Sequence, residues 1–162
     1  MGFSEKKERI NTESKRNRSV ISLLNGLGVR MVCTQFKTKH WKELIDFCNK
    51  NKSNNYEKIF AALYFQTLKK HSKENYSYPL IVCVETFMDI NKVIKYLREI
   101  SAANKINYQI SSTQVRYSEM LKLTDLVAAY GRKNKNPKKR YNFFDFYGAD
   151  IDSLKYYLRK IR

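Results

Sequence analysis

Leu80-Ile81-Val82-Cys83-Val84-Glu85-Thr86-Phe87 is a nearly continuous apolar run, opened by Pro79 and followed two residues later by Asp89. A run of this kind suits a central strand covered on both faces. Asp89 then predicts a helix N-cap, and Ile90, Val93, Ile94, Leu97 and Ile100 follow as a clean stripe at helical spacing. A buried strand feeding an amphipathic helix is the repeating element of α/β folds.

The rest of the chain alternates in the same way. Residues 1–18 are polar and highly charged, a frayed arm or a charged helix completed by Ile10. Val20 to Leu27 reads as a helix end stopped by Gly26 and Gly28. Val29 to Phe36 is a strand candidate, His40 to Lys50 a helix carrying Trp41, Leu44, Ile45 and Cys48, and Asn49 to Asn55 an Asn-rich loop. Tyr56 to Lys70 is a helix whose wide apolar face holds Ile59, Phe60, Leu63, Tyr64 and Leu68. Ile106 to Val115 reads as a further strand. A helix beginning at Ser118 and a last helix from Asp150, through Ile151, Leu154, Leu158 and Ile161, complete the chain. The expected architecture is a charged arm or helix over residues 1–19 and one α/β domain over residues 20–162, with helices flanking a small mixed or parallel sheet.

A chain of 162 residues fits one domain and buries roughly 68–70% of its unfolded surface, enough for a core without disulfides. The 12 tyrosines and 9 phenylalanines argue against disorder. Cys33, Cys48 and Cys83 show no paired spacing, and His40 and His71 complete no zinc pattern, so free thiols in a reducing compartment are expected. No apolar run reaches about 18 residues, and the start lacks the apolar segment of a signal peptide. The expectation is an intracellular, cytoplasmic protein that does not enter a membrane.

Net charge is +17, from 32 Lys and Arg against 15 Asp and Glu. So large an excess repels itself and favours an anionic partner, of which nucleic acid is the commonest. The densest cationic stretch is Arg132-Lys133-Asn134-Lys135-Asn136-Pro137-Lys138-Lys139-Arg140, with six cations in nine residues. Tyr141-Asn142-Phe143-Phe144-Asp145-Phe146-Tyr147 follows it directly. Cations interleaved with aromatics can hold phosphates while rings stack on unpaired bases. The plainer alternative is a solvated loop, with Phe143, Phe144 and Phe146 anchoring the last helix to the core. Lys37, Lys39 and Lys42 around Trp41 form a weaker second patch.

Asp125 is the other conspicuous residue. It sits within Met120-Leu121-Lys122-Leu123-Thr124-Asp125-Leu126-Val127-Ala128-Ala129-Tyr130, which reads as a helix packed on most sides. An acid half-buried there needs a cation, a metal ion or a donor. Glu85 lies near the carboxyl end of the most buried-looking strand, beyond which ligands gather in open α/β sheets. Brought together, the two acids repel unless protonated or bridged by a divalent cation. With Mg²⁺ or Mn²⁺ they would hold one or two ions, in two-metal sites about 3.5–4 Å apart, that activate water against a phosphodiester. The competing reading turns Glu85 outward and pairs Asp125 with Lys122 or Arg132.

The order of elements, with Glu85 in its strand and the helix Leu121-Lys122-Leu123-Thr124-Asp125-Leu126-Val127-Ala128, resembles the carboxy-terminal part of a large family of RNase H-like nucleases of uncharacterised function. Members of that family begin with an Asp-Glu-Ser-Gly strand and end with a helix reading Leu-Gln-Leu-Ala-Asp-Leu-Ile-Ala. The resemblance covers roughly residues 20–133. It implies an RNase H-like fold and a nuclease using Mg or Mn, with Asp125 and Glu85 as catalytic and metal-binding acids. The Asp-Glu-Ser-Gly strand is absent from this sequence. Glu119, Asp145, Asp89 and Asp150 are the candidate stand-ins for its acid.

Three functional expectations follow. The first is metal-dependent phosphodiester hydrolysis, with Arg132, Lys133, Lys135, Lys138, Lys139 and Arg140 holding DNA or RNA. The second is a non-catalytic relative that binds nucleic acid, and the third is a protein–protein adaptor from a virus or mobile element. A truncated sheet would leave an exposed edge that a second copy could cover, giving a homodimer.

Overall fold

The computed structural model describes residues 3–49, 55–71, 79–82, 88–106, 108–112, 119–134 and 141–162. These form α1 (Phe3–Gly26), β1 (Met31–Gln35), α2 (Thr38–Asn49), α3 (Asn55–His71), β2 (Pro79–Val82), α4 (Ile90–Ala103), β3 (Gln109–Ser112), α5 (Glu119–Lys133), β4 (Phe144–Gly148) and α6 (Ile151–Leu158). The protein is mixed α/β, and every strand pairing among the described residues is parallel. β1 pairs with β4, and β2 pairs with β3.

The β1–β4 pair sits between two layers of helices. In its register Met31 lies beside Phe144 and Cys33 beside Phe146, and the interleaved positions set Val32 beside Asp145 and Thr34 beside Tyr147. Alternate residues of a strand point to opposite faces, so each set shares a face. Met31, Cys33, Phe144 and Phe146 join Ile21 and Leu24 of α1 and Leu126, Val127 and Tyr130 of α5 in one apolar cluster. On the other face the Thr34 hydroxyl meets that of Thr67 in α3 at 2.7 Å. Lys70 lies over the Tyr147 ring at 5.1 Å.

The larger core lies on the α3 side. Leu44, Ile59, Phe65, Val93, Leu97, Ile100 and Leu154, all fully buried, draw α2, α3, α4 and α6 together. The expected stripe on α4 is observed: Val93, Ile94, Leu97 and Ile100 are buried. Its cap is as expected too, because the Asp89 carboxylate accepts the backbone N–H groups of Asn91 and Lys92. Asp150 does the same for α6, accepting from Asp152 and Ser153. Of the expected strand over residues 80–87, Leu80 to Val82 lie in β2 and pair with β3; residues 83–87 fall outside the described residues.

Two local features settle or correct an expectation. α1 is one continuous helix from Phe3 to Gly26, so residues 3–18 take the helical alternative rather than the frayed arm. It ends in a Schellman motif: the Val29 N–H bonds the Leu24 carbonyl and the Gly28 N–H bonds that of Asn25, with Gly28 at φ 71°. The second is β4. The aromatic stretch after the basic strip forms a strand that was not expected; Phe144, fully buried, and Phe146 pack into a core as the plainer alternative had it, and Phe143 stays exposed. Among the described residues no helix is long and apolar enough to cross a membrane.

Candidate nucleic-acid interface

α5 carries Asp125 but does not bury it. Leu121, Val127, Tyr130 and Gly131 are the buried residues of this helix. At about 100° per residue, Val127, Tyr130 and Gly131 centre on the side of the helix opposite Asp125. Asp125 is therefore exposed, not half-buried as its apolar neighbours suggested. It makes no hydrogen bond or ion pair among the described residues. Lys122, one expected partner, instead bonds Glu119 at 2.7 Å.

The candidate stand-in acids are committed elsewhere. Asp145 accepts from the Arg30 guanidinium at 3.2 Å, and Glu119 holds Lys122. Asp89 and Asp150 cap α4 and α6. The Asp150 carboxyl is held below its ordinary range, first by the Ser153 hydroxyl, then by the Ser153 and Asp152 backbone N–H groups. Among the described residues no group of three or more His, Cys, Asp and Glu is arranged to hold a metal ion. Glu85 lies outside the described residues, so a metal site would need it to join Asp125. The described residues alone do not assemble one.

The cationic strip is seen only at its start, residues 132–134. Arg132 and Lys133 stand exposed in the last turn of α5, and Lys135, Lys138, Lys139 and Arg140 lie outside the described residues. Tyr141, where the chain re-enters, is buried; its hydroxyl lies 3.0 Å from Ser22 Oγ on α1. The described start of the strip and Tyr141, the first described residue after it, thus both lie against α1. Between α1 and α5 opens a cleft of about 180 Å³ lined by Asn17, Arg18, Tyr130, Lys133 and Asn134. Neither Arg18 nor Lys133 has a carboxylate partner among the described residues, and both are exposed. The Asn134 side-chain amide donates to the Tyr130 carbonyl at 2.8 Å, closing the end of α5 beside the cleft.

Cys33 and Cys48 are structural thiols. Cys33 faces α5 and Cys48 lies in the larger core; burial raises both above the ordinary thiol range. Thiols of that kind stay protonated and unreactive at neutral pH. Trp41, in the weaker patch, is occupied by packing: its ring meets Phe36 at 5.0 Å, Tyr56 at 5.5 Å and Phe60 at 5.6 Å.

Sequence reasoning did not find Asn17 and Arg18, in the stretch read as a frayed arm or a charged helix, nor Ser22 and Asn25, whose partners Tyr141 and Phe143 are far away in the chain. The signal was present. Arg18, Ser22 and Asn25 recur at i, i+4 and i+7, one face of a helix. Comparison with protein-family models, curated proteins and solved structures found no match.

Proposed function

We propose that this protein binds nucleic acid through the surface formed by α1 and the end of α5, with the cations Lys135, Lys138, Lys139 and Arg140, outside the described residues, adding to the attraction. One observation carries this reading: Arg18 and Lys133 converge from two helices, unpaired with any described acid, on a polar cleft where the basic strip begins. Both are open to solvent, and a phosphate between them would accept charge-assisted hydrogen bonds from each. The net charge of +17 adds a long-range attraction for the same partner.

The second reading is a nuclease of RNase H-like type, using Mg or Mn at Asp125 and Glu85. What favours it is the Asp125 carboxylate, exposed and unpartnered among the described residues on a helix packed against β1. In this reading the chain's own contribution is to bring the acid to a surface beside cations that hold the phosphate backbone. The metal would supply an activated water and charge neutralisation.

The test is binding and cleavage of labelled DNA and RNA, with and without Mn²⁺, by wild type and Asp125→Asn. Binding that weakens steeply with salt is expected of both proteins, since counterion release dominates affinity. Cleavage by wild type alone would establish the nuclease. Absence of salt-sensitive binding would overturn the nucleic-acid reading and leave an acidic protein partner.

A further inference from the structure

The α1–α5 surface has a direction. The cleft at Arg18 and Lys133 is floored by Tyr130, whose ring meets that of Tyr141 at 5.9 Å. The Tyr141 hydroxyl bonds Ser22, one turn of α1 beyond Arg18. Three residues further along the same helix, Asn25 Oδ1 accepts the Phe143 backbone N–H at 2.9 Å. Polar contacts thus lead in steps along α1 from the cationic cleft to Phe143.

Phe143 is the anomaly on this path. Its neighbour Phe144 is fully buried, yet Phe143 remains 43% exposed. Its backbone is held on both sides: the N–H by Asn25 and the carbonyl by the Met31 N–H at 2.8 Å. The ring tip lies against Gly28, 3.8 Å from where a β-carbon would stand. A ring on a backbone pinned at both its N–H and its carbonyl, with one surface facing solvent, has less freedom to lose on stacking than one on an unpinned loop. Nucleobases offer the matching π-face only when unpaired.

We infer that this surface takes a single strand, with a backbone phosphate seated between Arg18 and Lys133 and an unpaired base stacked on Phe143. This rests on the nucleic-acid reading and adds the form of the substrate. Duplex bases are stacked on one another and cannot reach the ring, so a duplex engages the cations alone. The strand's polarity along the path and its sugar are set by neither contact. DNA and RNA single strands are therefore both accepted.

The experiment compares labelled oligothymidylate, oligouridylate and a duplex of equal length across a salt series. The proteins are wild type, Phe143→Ala, Phe143→Trp, the double variant Arg18→Glu/Lys133→Glu, and Lys95→Glu as a cation on the distant helix α4. All changed side chains are exposed, and thermal unfolding checks that each protein folds. Wild type is expected to prefer both single strands to the duplex. Phe143→Ala should weaken single-strand binding about 5- to 150-fold, the range for losing one stacked base, while Phe143→Trp retains it. The double variant should flatten the slope of log affinity against log salt by about 0.7 for each phosphate it no longer neutralises. Lys95→Glu should change affinity far less.

Equal affinity for duplex and single strand would overturn the inference while leaving the nucleic-acid reading standing. So would a Phe143→Ala protein that binds like wild type, or a double variant no weaker than Lys95→Glu. Failure of wild type to bind any of the three would overturn both.

Discussion

The two faces of the β1–β4 pair are built from different materials. Towards α1 and α5 the sheet presents Met31, Cys33, Phe144 and Phe146, and the interface is apolar. Towards α3 it presents Thr34, Asp145 and Tyr147, which meet Thr67, Arg30 and Lys70 through a hydroxyl pair, an ion pair and a cation–ring contact. The polar face nevertheless looks towards the larger core, because α3 turns its own Ile59, Ala62 and Phe65 away to α4 and α6. α3 is thus anchored twice, and the α1–α5 layer only once. The body of the protein is α2, α3, α4 and α6; α1 and α5 form a thinner layer that leaves its cations and Phe143 to solvent.

The largest effect should come from the body. Phe65 is fully buried and meets the Tyr157 ring edge-on at 4.8 Å. Phe65→Ala is expected to cost about 3–5 kcal/mol of unfolding free energy, a large fraction of what a domain has. Denaturant unfolding followed by circular dichroism measures it. A decrease under about 1 kcal/mol would mean that α3 does not organise the core.

The thin layer offers a sharper test at one position. Gly131 on α5 lies so close to β1 that a β-carbon would fall 2.6 Å from Cys33 Sγ. Gly131→Ala should therefore destabilise by about 1–3 kcal/mol through overpacking, despite the better helix propensity of alanine. Cys33→Ala in the same protein removes the obstructing sulfur. The double variant should recover most of the stability, a coupling of opposite sign that a double-mutant cycle reads directly. Additive effects would mean that α5 does not approach β1 this closely.

The same packing makes a chemical prediction. With both thiols raised above their ordinary range by burial, Cys33 and Cys48 should react with an aromatic disulfide far more slowly in the folded protein than in denaturant. Rapid labelling of Cys33 alone, read by mass spectrometry of peptides, would show that the α1–α5 layer opens independently of the body.

How far the sequence disclosed this comparison depends on the element. α4 and α6 were legible, since each has an Asp cap followed by a stripe at helical spacing, and both caps form as expected. β4 was not recognised, although Phe144 and Phe146 alternate with Asp145 and Tyr147 as a two-faced strand does. Its five residues follow a basic run, and aromatic residues serve equally well as helix anchors, so composition alone did not separate the two. Asp125 misled for a different reason. A count of apolar neighbours ignores direction, and Leu126 and Ala129 are only half-buried while Ala128 is exposed. Glu85 and four of the six strip cations, Lys135, Lys138, Lys139 and Arg140, fall outside the described residues. What the sequence could not supply was the partner of each charge, which depends on contacts far apart in the chain, such as Arg30 with Asp145.

The smallest predicted effect separates a capping role for Asp150 from a role in a charged site. As a cap, Asp150 contributes about 1 kcal/mol through the N–H groups of Asp152 and Ser153, and Asp150→Ala should remove that amount at neutral pH. Because the folded carboxyl is held below its ordinary value, its charge-dependent contribution is present above the unfolded pKa of about 3.9 and disappears as pH falls through the folded one. The stability gap between wild type and Asp150→Ala should therefore be flat from neutral pH down to about pH 5 and narrow below about pH 4. Asp150→Asn retains an oxygen acceptor, so it should keep most of the cap and lose the pH dependence. Unfolding measured across that acid range decides it: a gap that persists unchanged at low pH would mean that Asp150 acts by packing rather than as a charged cap.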